Sequence, residues 1–363
     1  MHIALDAMGG DRGSEELVLG AIEAVNDSKL VVSLIGDKKN LESILARHHF
    51  NDPERVRVVH TTQVVGMGDS PIDAIRRKPD SSIVVAFDLL RQGKVDSVVS
   101  AGNSGATMAA AVRSLGRLPK ISRPGIASAF PTLKAPVIMM DVGANVDCRP
   151  KHLLQFGVMA AAFSEVIFGV IRPRIGVLSI GEEQGKGNSL VRKTDELFRQ
   201  TSLNYIGNIE GGDTFLGDVD VIVCDGFVGN VCLKISEGLA EALTGMLRDE
   251  IQKSFTAKVG YLLSRNAFSR FKKRIDYAEY GGAPLLGLNG TGIVCHGRSN
   301  ATAIKNAVFV AAGLIENGLN RRIMELMAEI DLPADSGLES IESSVDRDLS
   351  VLSQQSVAES SRE

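Results

Sequence analysis

The sequence has few cysteines, and their arrangement indicates neither a disulfide framework nor a metal centre. Its 363 residues include only four, Cys148, Cys224, Cys232 and Cys295, and no two of them form a Cys-x-x-Cys pair. No His and Cys cluster has the spacing of a zinc site. We therefore expect free, buried thiols, a reducing compartment and no metal site.

The sequence also lacks a strong charge excess and a membrane-length apolar run. A net charge of −4 and an isoelectric point near 6.0 argue against nucleic acid as the main partner. The most apolar region, Leu153–Ile171, is interrupted by Gln155, Ser164 and Glu165, so it predicts a buried helix. Residues Met1–Asp6 lack the charged start of a signal peptide, and we expect a cytoplasmic protein.

Standard catalytic and nucleotide-binding motifs are missing as well. The sequence contains no Gly-x-Ser-x-Gly elbow and no His-Glu-x-x-His motif. The loop Gly181–Asn188 lacks the spacing and the Lys-[Ser/Thr] pair of a P-loop, and Gly185–Leu190 lacks the third glycine of a dinucleotide fingerprint. A serine nucleophile, a zinc hydrolase and a typical NAD site are therefore weakly supported.

Strand patterns and helix patterns alternate along almost the whole chain, and apolar residues make up 44% of it. The predicted strands are His2–Asp6, Leu30–Ile35, Val56–His60, Val95–Val99, Ile126–Phe130, Val137–Asp141, Ile175–Ile180, Val219–Cys224 and Ile293–Cys295. The predicted helices are Glu15–Val25, Asn40–His48, Ser82–Arg91, Met108–Val112, Lys151–Phe168, Leu190–Arg199, Asn230–Gln252 and Ala301–Leu319. This alternation predicts an α/β fold with parallel β-α-β units. We expect one α/β catalytic domain over residues 1–330 and a polar, mobile tail over residues 331–363.

Turns rich in Gly and Asn follow most of the predicted strands. They are Asp6–Asp11, Gly102–Gly105, Asp141–Asn145, Gly181–Ser189, Asn208–Asp213, Asp225–Asn230 and His296–Asn300. If all strands are parallel, these turns lie along one edge of the sheet, where α/β proteins bind ligands. The sequence therefore predicts a single polar cleft.

The turn Gly102–Gly105 lies between a buried strand and a helix, and it is the best candidate for an anion site. The start of a helix offers unpaired N–H groups and the positive end of its dipole. Gly102, Asn103, Ser104 and Gly105 would then hold a phosphate. The alternative is a simple helix cap by Asn103 or Ser104.

Other turns supply charged and neutral groups for such a site. Lys186 and Arg298 can pair with phosphate, and His296 can donate or accept a proton near neutral pH. The neutral donors are Asn145, Asn188 and Ser189, and the supporting polar residues are Asp6, Asp225 and Asn230. Lys186 could equally be a solvated loop residue, and His296 could hydrogen-bond only to a backbone carbonyl.

Seven stretches together resemble the acyl-acyl carrier protein:phosphate acyltransferases, the PlsX family of bacterial phospholipid synthesis. They are Leu5–Asp11, Ser100–Thr107, Asp141–Asn145, Gly181–Gly187, Asp225–Asn230, Glu279–Pro284 and His296–Arg298. The resemblance implies a layered fold like that of isocitrate dehydrogenase and phosphotransacetylase, with a deep cleft and a helical dimerisation arm at about residues 240–278. It also implies a homodimer without a cofactor. The implied reaction converts acyl-acyl carrier protein and inorganic phosphate into acyl phosphate, which passes to the membrane glycerol-phosphate acyltransferase.

The stretch Ile251–Ile275 is strongly basic in an otherwise acidic protein. Its apolar residues follow helical spacing, with a break near Ser264–Asn266, so it predicts a basic amphipathic helix for an anionic membrane surface or an acidic partner. The contact residues would be Leu262, Leu263, Phe268, Lys272, Lys273 and Arg274. The resemblance implies both peripheral membrane association and an acidic carrier protein. The alternative is packing in a dimer interface with solvated cations.

Two other functions fit part of these observations. A dehydrogenase can share the same fold, since fold alone does not fix function. A non-catalytic module that docks a carrier protein or a membrane needs the basic stretch but not so many donor-bearing turns.

Overall fold

Eleven strands form one sheet in the computed structural model, which describes residues 1–50, 52–275 and 280–330. The strands are β1 His2–Asp6, β2 Val31–Gly36, β3 Val56–His60, β4 Ser97–Ser100, β5 Gly125–Phe130, β6 Val137–Met140, β7 Ile175–Leu178, β8 Tyr205–Ile209, β9 Val221–Val223, β10 Ala283–Leu286 and β11 Thr291–Val294. The helices are α1 Ser14–Asn26, α2 Lys38–Arg47, α3 Pro71–Arg77, α4 Ser82–Arg91, α5 Ser104–Leu115, α6 Pro150–Phe168, α7 Ser189–Phe198, α8 Gly226–Lys253, α9 Phe255–Leu263, α10 Arg265–Ile275, α11 Ala301–Glu316 and α12 Leu319–Glu329. A 3₁₀ turn spans Gly211–Phe215. The predicted tail, residues 331–363, lies outside the described residues.

The direction of the strands changes in the middle of the sheet. The strand order is β3-β2-β1-β4-β11-β10-β5-β6-β9-β7-β8. The first five strands are parallel, β10 is antiparallel to both of its neighbours, and β5 pairs antiparallel with β6. Strands β6, β9, β7 and β8 are parallel to one another and opposite to the first five.

This reversal makes one prediction from the sequence wrong. The glycine-rich turns do not all lie along one edge, because the carboxyl ends of β1, β4 and β11 are at the edge opposite the carboxyl ends of β6, β7 and β9. We call the edge at the carboxyl ends of β1, β4 and β11 the first edge, and the edge at the carboxyl ends of β6, β7 and β9 the second edge.

All nine predicted strands are present, and two more were missed. Strand β10 has four residues and contains Pro284, which disfavours a strand assignment from sequence. Strand β8 contains Gly207 and Asn208, which are residue types typical of a turn. Strand β10 pairs with β11, its neighbour in sequence, and with the distant β5, while β8 pairs with β7.

The core lies on both faces of the sheet, which explains why the strands read as continuous apolar runs. Ile3, Ala4 and Leu5 of β1 have no exposed surface. Helices α1 and α11 pack against each other on one face, and α4 and α5 do so on the other. Burial on both faces fixes the strand register and therefore the position of each loop at the first edge.

Helix α8 links the two edges. It begins at the second edge, after β9, and its 28 residues make it about 42 Å long. Gly229 lies so close to the carbonyl oxygen of Asp141 that an added Cβ would be 1.9 Å from it, so only glycine fits at this crossing. Glu237 lies eleven residues after Gly226, the first residue of α8, which is about 17 Å along the helix. This distance is similar to the length of a five-residue strand, so Glu237 is level with the first edge.

Beyond the sheet the helix breaks at Ser254, whose side chain accepts a hydrogen bond from Ala257 and caps α9. The break near Ser264 was predicted from the sequence, but the break at Ser254 was not. Ile251 therefore does not continue one helix face with Phe255, Val259 and Leu262.

Candidate active site

Three loops meet at the first edge because their strands are neighbours. Asp6 at the end of β1 pairs in register with Ser100 at the end of β4, and Ser100 pairs with Val294 of β11. The amide of Asp11 donates to the carbonyl of Gly297 over 2.7 Å, so the loops after β1 and β11 are joined directly. Asp6, the turn Gly102–Gly105, His296 and Arg298 are therefore brought together as predicted.

A buried hydrogen-bond network forms the floor of this edge. The Ser100 hydroxyl donates to the Asp6 carboxylate over 2.8 Å and accepts from the Gly102 amide at 3.1 Å. Both Asp6 and Ser100 are at most 3% exposed. A Cβ on Gly9 would be 2.7 Å from the Gly102 nitrogen, so the loop after β1 can only reach this turn with glycine there. The network fixes the backbone where α5 begins.

Asn103 is the N-cap of α5, as the alternative interpretation expected. Its side-chain oxygen accepts from the Ala106 amide, and its amide group donates to the carbonyls of Met67 and Asp69. The side chain is thus engaged on all sides and holds the loop before α3 against the turn. The amides of Ser104 and Gly105 lie in the first turn of the helix, where no intrahelical acceptor exists, and both residues are exposed.

The recess beneath this turn is too small for a phosphate. Its volume is about 10 Å³, enough for one water molecule at most, and Asp6, Val65, Gly102 and Thr107 are among its lining residues. An anion at the start of α5 would bind on the open side, against the amides of Ser104 and Gly105.

The loop after β11 places a histidine and an arginine on the same side. The Arg298 amide donates to Nδ1 of His296 over 3.0 Å, and the Arg298 side chain is exposed, with no ion pair within the described ranges. Gly297 packs against Asp11 and Met67, so this loop contacts both the loop after β1 and the loop held by Asn103. Arg298 is therefore a cation available to an anion at the first edge.

Two residues of α8, Lys234 and Glu237, also lie at the first edge, and the sequence analysis did not predict them as site residues. Oε2 of Glu237 lies 3.9 Å from Nε2 of His296 and 2.8 Å from Nζ of Lys234. Sequence alone shows only a charge pair three residues apart, which is typical of any solvated helix. The contact with His296 depends on how far α8 crosses the sheet.

These neighbours act on the pKa of His296. Burial lowers the pKa of His296 below its ordinary value; Lys234 and Arg298 lower it as well, while Glu237 and Asp11 raise it. The ring is therefore mainly neutral at pH 7.

At the second edge, the side chains of Asn145 and Asp225 form hydrogen bonds within the chain that stabilise the fold. Asn145 donates its backbone and side-chain amides to the buried carboxylate of Asp141, and its carbonyl accepts from Gly226 at the start of α8. Burial raises the pKa of Asp141. Asp225 is the N-cap of α8, and Asn230 is exposed beside Gly143. These residues anchor α8, and their side chains lie away from the first edge.

Lys186, Asn188 and Ser189 also belong to the second edge, in the loop between β7 and α7. Asn188 caps α7 by accepting from the Val191 amide. Lys186 and Ser189 are exposed, and in the described part of the chain Lys186 forms no ion pair. Lys186 and Arg298 therefore follow strands of opposite direction, although the sequence predicted that both lie in a single polar cleft.

The arm formed by α9 and α10 exposes its apolar side chains. Leu262 is 69% exposed and Leu263 is 83% exposed, while Phe268 is half-buried against Tyr261. Lys272 and Lys273 are exposed, but Arg274 donates to the carbonyls of Thr132 and Leu133 and so fastens the arm to the sheet.

The four thiols are free and poorly suited to nucleophilic attack. Burial raises the pKa of Cys148 and of Cys295 to about 12, and it also raises the pKa of Cys224 and Cys232. Since the thiolate is the reactive form, these cysteines are unreactive at neutral pH.

Residues 1–50, 52–275 and 280–330 contain no group of three His, Cys, Asp or Glu side chains placed to hold a metal ion. In the same residues, no helix is both long and apolar enough to cross a bilayer.

Comparison with known proteins identifies the relatives of this chain. The family described as "Fatty acid synthesis protein" matches residues 1–322. The chain is 54% identical over 322 residues to the phosphate acyltransferase of Syntrophotalea carbinolica, covering 89% of this chain and 92% of that protein. It is 53% identical over 329 residues to the phosphate acyltransferase of Geotalea uraniireducens, covering 91% and 95%. A phosphotransacetylase structure from Streptococcus pyogenes shares the fold, with a TM-score of 0.60 and 17% identity over 87% of this chain and 94% of that one.

Proposed function

Because the chain belongs to the fatty acid synthesis protein family, the PlsX family that its sequence resembles, we propose that it transfers an acyl group from acyl carrier protein to inorganic phosphate. The observation that carries this proposal is the meeting of three groups at the first edge. Arg298, His296 and the first-turn amides of α5, which have no acceptor within the helix, lie on loops held together by direct backbone contacts.

Phosphate binds, in this proposal, to the amides of Ser104 and Gly105 with Arg298 as its counter-charge. A helix N-terminus and a guanidinium are both suited to phosphate. The buried Asp6–Ser100 network keeps the amides in place, so little reorganisation accompanies the reaction.

The chemistry needs no protein nucleophile. A phosphate oxygen attacks the thioester carbonyl carbon, the carbon–sulfur bond breaks, and its electron pair leaves with the sulfur. The proton of hydrogen phosphate ends on that sulfur, which gives acyl phosphate and the free thiol of the carrier protein. A thiol with an ordinary pKa of about 8.5 is a good leaving group, so positioning and oxyanion stabilisation supply the catalysis.

The arm formed by α9 and α10 is the surface that would contact the membrane and the carrier protein. Exposed Leu262 and Leu263 together with Lys272 and Lys273 form a surface suited to an anionic membrane or to the acidic carrier protein. We propose that the enzyme is cytoplasmic and touches the membrane at this tip, where it passes acyl phosphate to the glycerol-phosphate acyltransferase for phospholipid synthesis.

The exposed apolar row on α8 supports a homodimer. Ile235, Leu239, Leu243 and Met246 follow one face of the helix, and each is more than half exposed in the single chain. A row of this length on a helix is typical of a helix–helix interface. A second copy of the chain would bury it.

Phosphate-dependent thiol release tests the proposed activity. Acyl carrier protein loaded with a long-chain acyl group is mixed with enzyme, and the free thiol is measured with and without phosphate. We expect release only with phosphate and acyl phosphate in equal amount. Release without phosphate, or a change in nicotinamide absorbance with a hydroxy acid, would contradict the proposal.

A further inference from the structure

A loop beside the start of α5 brings an apolar side chain to the proposed phosphate site. This loop, residues 64–69, lies between β3 and α3. Nδ2 of Asn103 donates to the carbonyls of Met67 and Asp69 over 3.0 and 3.2 Å, so the N-cap of α5 also holds the loop. A Cβ built on Gly297 would lie 3.2 Å from the terminal methyl carbon of Met67. Met67 therefore extends from the start of α5 to the loop after β11.

Lys78, which follows α3, fixes the same loop from its other side. Its Nζ donates to the carbonyl of Val64 over 2.9 Å and to Oδ2 of Asp69 over 2.6 Å. That carboxylate oxygen also accepts from the Gly66 amide at 2.8 Å. Hydrogen bonds thus hold the loop at both of its ends, and they give the backbone of Met67 a defined place at the first edge.

The space around Met67 is open. The residue is 49% exposed and lies between two glycines. In the described chain, a Cβ on Gly68 would meet no atom of a non-neighbouring residue within 4 Å, and a Cβ on Gly66 would come no closer than 3.6 Å to Asp69. A single exposed apolar residue is common on any protein surface. Met67 differs because its carbonyl is bonded to Asn103, the residue at which the proposed phosphate site begins.

We infer that Met67 is a specificity-determining residue whose side chain contacts the acyl chain of the donor, and that Lys78 is a positioning residue that holds it there through Asp69. The inference rests on the proposed function for the identity of this substrate. Attack by phosphate requires the thioester carbon to lie against a phosphate oxygen, so the acyl chain begins beside the start of α5. The phosphate groups at this edge are polar, and a flexible, polarisable methionine side chain supplies the apolar contact that the chain needs.

The first test compares donors with a long and a short acyl chain. We expect Met67→Gln, which has a side chain of similar length, to lower kcat/KM for palmitoyl-acyl carrier protein about 10-fold, because it removes the burial of an apolar side chain against the acyl chain. The value for acetyl-acyl carrier protein should change little, since an acetyl group has only one methyl. Lys78→Met should lower the ratio of the two values in the same direction.

Met324→Gln is the matched control, because Met324 is 43% exposed and lies on α12, which packs against α6. This variant should leave the ratio unchanged. A purely structural role for Met67 would reduce the two donors equally. An equal loss for both donors, or no loss in Met67→Gln, would therefore overturn the inference, and an unchanged ratio in Lys78→Met would overturn the role of Lys78.

The second test needs no turnover. The sequence contains no tryptophan, so Met67→Trp places a single indole at the proposed contact. Its fluorescence is followed without phosphate, using a carrier protein that lacks tryptophan. We expect palmitoyl-acyl carrier protein to shift the emission to shorter wavelength, and unacylated carrier protein to cause no shift. Met324→Trp is the control and should respond to neither.

The two tests separate the inference from the proposed function. If Met67→Trp responds to the palmitoyl group but the wild type shows no phosphate-dependent thiol release, the proposed function fails and the acyl contact stands. If the wild type releases thiol with phosphate but Met67→Trp shows no shift, the inference is wrong and the proposed function stands.

Discussion

The hydroxyl of Ser100 donates to the carboxylate of Asp6 over 2.8 Å, inside the sheet and away from solvent. This bond ties the end of β4 to the end of β1, and the same hydroxyl oxygen accepts from Gly102 at the turn into α5. Two residues 94 positions apart in the chain thus fix the backbone that carries the proposed phosphate site.

Removing that hydroxyl is expected to destabilise the protein. Ser100→Ala leaves a buried carboxylate oxygen and the Gly102 amide without their partner, which costs about 1–3 kcal/mol in the free energy of unfolding. Urea unfolding followed by circular dichroism measures this loss. Ser43→Ala, at an exposed position of α2, is the control and should stay within about 0.5 kcal/mol of wild type. Equal stability of the two variants would mean that water replaces the hydroxyl without cost.

Arg298→Ala should lower kcat/KM for phosphate by about 100- to 1000-fold, the usual loss when a preformed charge or donor is removed from a reacting oxyanion. Steady-state thiol release at varied phosphate measures the change. Arg91→Ala is the control, since Arg91 pairs with Asp88 on the surface of α4. A near-normal kcat/KM for phosphate in Arg298→Ala would show that Arg298 does not bind phosphate.

Lys186 is expected to act independently of Arg298. The two cations lie at opposite edges of the sheet, so the losses in Lys186→Ala and Arg298→Ala should multiply in the double variant, as they do for separate sites. The same phosphate titrations give all three values. If Lys186→Ala alone is slow and the double variant is no slower than Arg298→Ala, both cations act on one phosphate and the expected independence is wrong.

The cysteines should be dispensable for turnover. With the pKa of Cys148 and Cys295 near 12, almost no thiolate exists at pH 7.5. Cys148→Ala and Cys295→Ala are therefore expected to retain the wild-type rate when folded, and iodoacetamide treatment of the native enzyme should leave activity intact. Loss of turnover in a folded variant would instead indicate a covalent acyl-enzyme.

The arm is expected to bind anionic vesicles in a salt-sensitive way, since each Lys or Arg near such a surface contributes ~1 kcal/mol and is screened by ions. Leu262→Glu and Leu263→Glu should weaken co-sedimentation with vesicles that contain phosphatidylglycerol. Ile171→Glu, an exposed apolar position outside the arm, is the matched control.

Charge reversal of Lys272 and Lys273 distinguishes the two partners of the arm. Vesicle binding falls if these residues face lipid, and the KM for acyl carrier protein rises if they face the carrier. Arg274 is left out because it holds the loop Thr132–Lys134. If neither vesicle binding nor the KM for acyl carrier protein changes, Lys272 and Lys273 contact neither partner and are solvated surface residues.

The exposed face of α8 should hold two chains together. Leu239→Glu and Leu243→Glu place charges in the middle of the row and are expected to give monomers in multi-angle light scattering. Glu241→Gln, exposed on the same helix, is the control and should leave the mass of the assembly unchanged. A wild-type protein that is monomeric at micromolar concentration would contradict the proposed dimer.

Sequence patterns alone predicted nine of the eleven strands that the structure describes, and they indicated the family. Apolar runs predicted β1, β4 and β11 because both faces of these strands are buried, and Asn103 was predicted as a possible helix cap. The capping roles of Asn188 and Asp225 were not predicted, and the structure shows them at the starts of α7 and α8. The glycine-rich turns were enough to identify the relatives, since close backbone approach leaves little choice of residue at positions such as Gly9 and Gly229.

Which of these turns meet depends on how the strands pair in the folded chain. The antiparallel hairpin of β5 and β6 reverses the direction of the strands beyond it, which are β6, β9, β7 and β8. The strand patterns indicate where strands lie but not how they pair, so the sequence does not predict this reversal. That reversal separates Lys186 from Arg298. The crossing of α8 over the sheet brings Lys234 and Glu237 to His296, because a helix rises 1.5 Å per residue and reaches the first edge after about eleven residues.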